Sequence, residues 1–253
     1  MIGSVPPLSF LAPEQAALVD DALAAIRRGL GEKLRSVSLV GTAVPPARHE
    51  GSHVLALLVV VSDLPVAALS NLGHQLRGDL HPGLIVRLLT ERELLRSTDV
   101  FTLELAEYQV RHVVLAGEDP LEELHYTRSD LRDSIEHGLR TLERRLRDSV
   151  IGGTVALGPC PPATLQLLRA GLDELVVMAH HSLWLLGLNP PATESDVLAA
   201  LARRTGTEAA RLGPTVERLR AADPLGDPMD VLAELLELAE AATALIDTVG
   251  ADQ

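Results

Sequence analysis

Few residues in this chain combine the type and spacing that chemistry needs. Glu50 and His53 stand close together ahead of an apolar strand, where one carboxylate and one imidazole hold a single metal ion only weakly. Glu104 lies in the run Phe101-Thr102-Leu103-Glu104-Leu105, with Tyr108 one helical turn further on. It reads as a buried acid paired with an arginine such as Arg87 or Arg111, tying two elements together. His180 and His181 are adjacent on a helix and therefore point about 100° apart, which prevents joint chelation of one ion. The i, i+4 spacing of zinc helices is absent, so both read as packing residues. Cys160, in Gly158-Pro159-Cys160-Pro161-Pro162, has no matched His/Asn pattern and reads as a structural thiol. Arg140, Arg144, Arg145 and Arg147, with Glu136 and Glu143, form a charged helix face with i, i+4 pairs such as Glu136–Arg140. A solvated face is favoured over a phosphate-binding patch.

The composition narrows the setting. The 253 residues are 47% apolar and 2% aromatic, too apolar for disorder and too poor in rings for stacking on single-stranded nucleic acid. A formal charge of −13 opposes polyanion partners. A single cysteine permits no internal disulfide, which fits a reducing cytoplasm. No basic n-region with a cleavage site is read at the N-terminus. The longest unbroken apolar run, 54–61, falls far short of the 18 or so residues of a membrane span.

The elements that must position these residues follow from periodicity. Ala17, Leu18, Leu23, Ile26, Leu30 and Leu34 predict a helix over 13–34, with Pro13 in its first turn. Strands are expected over 36–41 and 53–62, separated by the turn-rich segment 43–51. The second is apolar at consecutive positions and should be buried on both faces. A helix over 66–76 and a strand over 84–89 come next. Thr90 with Glu93 then makes a capping box, before a helix over 101–108 and a strand over 113–115. Beyond residue 120 the pattern is helical. Leu131, Ile135, Leu139, Leu142 and Leu146 form one stripe, and further helices are expected over 165–188, 197–203, 214–222 and 229–249. The one candidate strand in this half is 154–157.

A strand ending in Val40-Gly41-Thr42, a loop and an apolar strand resemble the opening of the nucleotidyltransferase fold. Longer motifs carry a closer likeness over nearly the whole chain. Asp99-Val100-Phe101-Thr102-Leu103-Glu104 and His112-Val113-Val114-Leu115-Ala116-Gly117-Glu118-Asp119-Pro120 resemble a bacterial nucleotidyltransferase-like family. Its members read Asp-Val-Phe-Pro-Leu-Glu and Val-Leu-Tyr-Gly-Glu-Asp-Pro at these places. The resemblance implies a phosphate-holding turn at Gly41 and Thr42. It also implies an Asp-x-Asp pair opening the second strand and a third carboxylate on a neighbouring strand. Those acids hold two metal ions roughly 3.5–4 Å apart for transfer of a nucleotide. Here the metal positions fall on Val54, Ala56 and Arg87, none of them acidic. Asp63 lies seven residues beyond Ala56, roughly 23 Å along the strand.

The expected fold class is α+β: a small mixed-sheet nucleotidyltransferase-like domain over 1–125, followed by an all-α helical bundle over 126–253. The expected function is that of a non-catalytic nucleotide-binding or protein-interaction and regulatory module. Gly41, Thr42, Glu50 and His53 are its vestigial nucleotide-binding candidates. The alternative is an active transferase that moves an NMP group from an NTP to a small molecule or protein, with noncanonical metal ligands. No cofactor is expected, and Mg²⁺ enters only under that alternative. A nucleotide, a second copy or another protein are the expected partners, with the last helix as a packing surface. Neither nucleic acid nor a membrane is expected.

Overall fold

The computed structural model describes residues 8–41, 43–44, 55–76, 83–152, 162–207, 212–221 and 227–250. Two compact units divide the chain, Met1–His125 and Tyr126–Gln253. The fold is α+β, with the strands confined to the first unit among the described residues. No helix there is long and apolar enough to cross a membrane.

Helix α1 (Pro13–Leu30) ends four residues before the periodicity suggests, because Gly31 turns to φ 54° and leads into a 3-10 turn (Gly31–Lys33). That frees Leu34 to open strand β1 (Leu34–Val40). Strand β2 (Leu55–Val61) pairs antiparallel with β1, with Val40 opposite Ala56 and Leu39 opposite Leu57. Helix α2 (Val66–Leu76) follows, then β3 (Leu84–Thr90), which lies parallel to β2. Two short helices, α3 (Glu91–Arg96) and α4 (Thr102–Val110), lead to β4 (His112–Gly117), antiparallel to β1. The sheet order is β3-β2-β1-β4. Strand β4 is twice as long as its apolar centre suggests, since polar His112 and the small Ala116-Gly117 pair hide its ends.

Every second side chain of β2 faces the same way, so its apolar run serves two cores. Leu55, Leu57, Val59 and Val61 pack with Val19, Ile26 and Leu72 of α1 and α2. Leu58 and Val60 pack on the other face with Val40, Leu94, Leu105, Tyr108, Leu121 and Leu124. This is why β2 shows no polar alternation. Thr90 Oγ1 accepts from the Glu93 N–H at 3.1 Å while the Glu93 carboxylate accepts from the Thr90 N–H at 2.8 Å, the reciprocal cap of α3.

In the second unit, α5 (Arg128–Ile151) packs against α6 (Pro162–Leu185) and α9 (Pro228–Asp247). Its stripe of Leu131, Ile135, Leu139, Leu142 and Leu146 is fully buried. Helices α7 (Glu194–Thr205) and α8 (Leu212–Ala221) complete the unit. Thr193 caps α7 by accepting from the Asp196 N–H. The candidate strand 154–157 and Cys160 lie outside the described residues.

Candidate binding site

The turn after β1 is built on Gly41, whose φ of 82° favours glycine. Its N–H donates to the Arg111 carbonyl at 2.9 Å, and its own carbonyl accepts from the Val44 N–H at 2.9 Å. The turn is therefore fastened to the start of β4, and the Gly41 N–H is already committed within the protein. Any phosphate held here would have to find its donors on other residues. Thr42, Glu50, His53 and Val54 lie outside the described residues.

Arg111 is itself fixed. Its side chain is buried with that of Glu107, one turn earlier on α4, with Nη1 2.9 Å from Oε1 at an angle unsuited to a hydrogen bond. Next to it, His112 Nδ1 lies 3.0 Å from the Tyr108 carbonyl oxygen and Nε2 lies 2.8 Å from Asp119 Oδ2. Asp119 Oδ1 also accepts from the Leu121 N–H, so the Gly117-Glu118-Asp119-Pro120 run is a turn with a side-chain cap.

The register fixes which side chains share the face beyond Gly41. Ala56 of β2 pairs with Ile85 of β3, and Leu58 pairs with Arg87. Sequence reasoning places the third metal position at Arg87. The register sets Ile85 directly beside Ala56, with Arg87 two residues further along the same face, roughly 7 Å away. A parallel register leaves no mark in a single sequence. Alanine, isoleucine and arginine offer no oxygen ligand, and this donor set does not suit a hard divalent ion. Among the described residues, no group of three or more His, Cys, Asp or Glu could hold a metal ion.

The acid on this face comes from α4. Arg87 Nε lies 2.8 Å from Glu104 Oε1, and the Tyr108 hydroxyl donates to that same oxygen at 2.5 Å. Of the two arginines that sequence reasoning offers Glu104, Arg87 is the partner. The Tyr108 hydroxyl is pushed far above its ordinary value, by burial first and by the Glu104 carboxylate second, with Arg87 opposing. It therefore stays protonated as a donor. These three residues join Leu58, Ile85, Ser97, Phe101 and Leu105 around a pocket of about 240 Å³.

Arg140, Arg145 and Arg147 of α5 lie on a solvated face, as expected, and each is paired with an acid rather than free for a phosphate. Arg140 contacts Glu136 at 2.9 Å and Asp247 at 3.0 Å. Arg145 contacts Glu174 at 2.7 Å, and Arg147 contacts Glu240 at 2.7 Å. They clamp α5 to α6 and α9. His180 and His181 pack edge to face, with ring centroids 5.3 Å apart.

No protein-family model and no curated protein matches this chain. One solved structure that does match is that of spectinomycin adenyltransferase AAD(9) from Enterococcus faecialis, with ATP and spectinomycin. The two are 14% identical, with a TM-score of 0.56 over 90% of this chain and 98% of that one. The fold is nucleotidyltransferase-like. At such low identity the likeness speaks for architecture, namely a mixed sheet with a helical part. The nucleotidyltransferase-like fold here carries Ala56, Ile85 and Arg87 on the face beside the Gly41 turn.

Proposed function

We propose that this chain is a non-catalytic binding or regulatory module built on the nucleotidyltransferase fold. One observation carries the reading: the paired positions Ala56 and Ile85, and Arg87 beyond them, supply no carboxylate to a pair of metal ions. Two-metal transfer requires acids that hold both ions against the attacking and leaving oxygens. Glu104, an acid that does reach this face, is a single carboxylate whose Oε1 is engaged by Arg87 and Tyr108, short of the set that two ions need. The AAD(9) structure contains ATP, so ATP is the first ligand to test.

The test has two parts. Purified protein is incubated with labelled ATP and Mg²⁺ or Mn²⁺, with candidate acceptors and with the protein itself as acceptor. No transfer of AMP is expected. Metal-dependent transfer that disappears in Glu50→Ala would overturn the proposal and favour an enzyme with unusual ligands. Thermal melts with each NTP, with and without metal, then separate the two kinds of module. Ligand at about 100 times its dissociation constant adds roughly 2.7 kcal/mol, a shift of several degrees. A metal-independent shift supports a nucleotide-binding module, a shift that requires metal favours the enzyme, and no shift leaves the protein-interaction module as the reading to test with partners.

A further inference from the structure

The pocket above Arg87 has walls and a polar edge that belong to a particular ligand chemistry. Its walls are Leu58, Ile85, Phe101 and Leu105, and its polar edge is Arg87, Glu104 and Tyr108. Ile85 and Phe101 stand 42% and 49% exposed, a large apolar surface left open to solvent at the pocket itself. Both contacts to Glu104 fall on Oε1. Neither of these two contacts uses its second oxygen, and half-exposed Arg87 has N–H donors beyond the Nε that faces Glu104.

We propose that this pocket binds a small, neutral, planar molecule whose polar edge presents a hydrogen-bond donor beside an acceptor, as a carboxamide or lactam does. The acceptor takes an Arg87 N–H and the donor gives to Glu104 Oε2, while the ring covers Ile85 and Phe101. Charge decides against the other classes. Arg87 and Glu104 neutralise each other and Tyr108 adds no charge, so an anion would compete with Glu104 for Arg87. A cation would meet Arg87 in turn. Either would give up hydration without gaining an uncompensated partner. Size decides the scale: at about 240 Å³ the pocket lies below the range that holds drug-sized ligands, so one or two rings fit.

This assignment rests on reading the face as a binding surface rather than a two-metal centre, and its test is independent of nucleotide. The full chain is titrated with benzamide, benzoate and benzylammonium, three probes of one shape and different charge, and followed by NMR signals of Ile85 and Phe101. Benzamide is expected to bind saturably, at least about tenfold tighter than the two charged probes. Glu104→Gln leaves Arg87 uncompensated and should turn the preference to benzoate. Arg87→Gln leaves Glu104 uncompensated and should turn it to benzylammonium. Both reversals are read within one protein, and native chemical-shift dispersion shows that each variant is folded. Absence of saturable benzamide binding, equal binding of a charged probe to wild type, or unchanged preference in both folded variants would overturn the pocket assignment. Those outcomes leave the ATP experiments untouched, whereas metal-dependent AMP transfer would sink the non-catalytic reading and leave the pocket data standing.

Discussion

Ala56 of β2 pairs with Ile85 of β3 across a parallel register, two residues before Leu58 pairs with Arg87. The first pairing puts a methyl group and a branched aliphatic chain beside each other on the face next to the Gly41 turn. Leu58, one step further on, is fully buried in the core that also holds Val40, Leu105 and Tyr108. The apolar core of this face therefore continues to Ala56, which pairs with Val40 just before the Gly41 turn.

Millimolar Mg²⁺ or Mn²⁺ alone should leave the melting temperature of the protein unchanged. A metal that binds only the native state stabilises it by mass action, and ligands supplied by Ala56, Ile85 and Arg87 give no such binding. Differential scanning calorimetry with and without each ion checks this. A saturable upward shift would point to acids outside the described residues, Glu50 foremost.

Gly117 and Gly41 share nearly the same φ, +81° and +82°, yet their substitutions should differ sharply. A Cβ on Gly117 would lie 1.9 Å from the Arg35 carbonyl oxygen, while one on Gly41 would meet nothing within 4 Å among the described residues. Gly41→Ala should cost about 1–2 kcal/mol, the left-handed penalty alone. Gly117→Ala must also push β4 away from β1, so it should cost clearly more and weaken amide protection along both strands. Equal losses in chemical denaturation would contradict the steric argument.

Much of this was legible in the sequence, and the rest failed for physical reasons. The unbroken apolar run of β2 announced burial on both faces, and Thr90 with Glu93 announced a cap, because both signals are local. Glu104 could be matched to an arginine by chemistry, but the choice between Arg87 and Arg111 depended on the sheet. Pairing across elements left no local mark. Arg147–Glu240 spans 93 residues and Arg140–Asp247 spans 107, so a charged stripe that reads as solvated, and is exposed, also carries interhelical ion pairs. Glu107 and Arg111 sit at helical spacing like any surface pair, and only the packing of α4 shows that both are buried.

Glu107 and Arg111 are the buried charged residues of the first unit among those described. Removing one partner of a buried pair typically costs about 3–5 kcal/mol, because the other charge is left uncompensated. Arg111→Met should therefore destabilise the first unit strongly, whereas Glu107→Leu with Arg111→Met should recover a substantial part of the loss. A double-mutant cycle by urea denaturation measures the coupling. A double variant no more stable than the worse single one would show that the pair does not act as a unit.

The N-terminus of α5 gives an acid-limb prediction. Thr127 Oγ1 accepts from the Asp130 N–H at 3.0 Å, and the Asp130 carboxylate accepts from the Thr127 hydroxyl at 2.7 Å and from the Thr127 N–H at 2.9 Å. Hydrogen bonds from the Thr127 side chain and backbone hold the Asp130 carboxyl below its ordinary 3.8. A carboxyl depressed on folding contributes stability above its unfolded value and loses it as pH falls through the folded one. The contribution should thus be present at neutral pH and fade below about pH 4. Thr127→Ala should cost about 1 kcal/mol at neutral pH, and Asp130→Asn should flatten the acid limb of the stability curve. Parallel acid limbs for wild type and Asp130→Asn would refute the linkage.

Tyr108 supplies the opposite limb. Its hydroxyl is raised far above 10.0 by burial and by Glu104, and Tyr126 is raised by burial. An acid whose folded value lies above its unfolded one contributes stability that is intact below pH 10 and is lost progressively as pH climbs from there. Tyr108 should therefore remain un-ionised at pH 10 while the protein is native, and Tyr126 should ionise at higher pH than a free tyrosine. Near-ultraviolet absorbance should show Tyr108 tyrosinate only as unfolding begins. In Glu104→Gln the carboxylate no longer opposes a phenolate, so Tyr108 should ionise at lower pH than in wild type, with burial still holding it above the free side chain. A Tyr108 titration unchanged by that substitution would mean that burial alone sets its hydroxyl, and that Glu104 is not the oxygen receiving its proton.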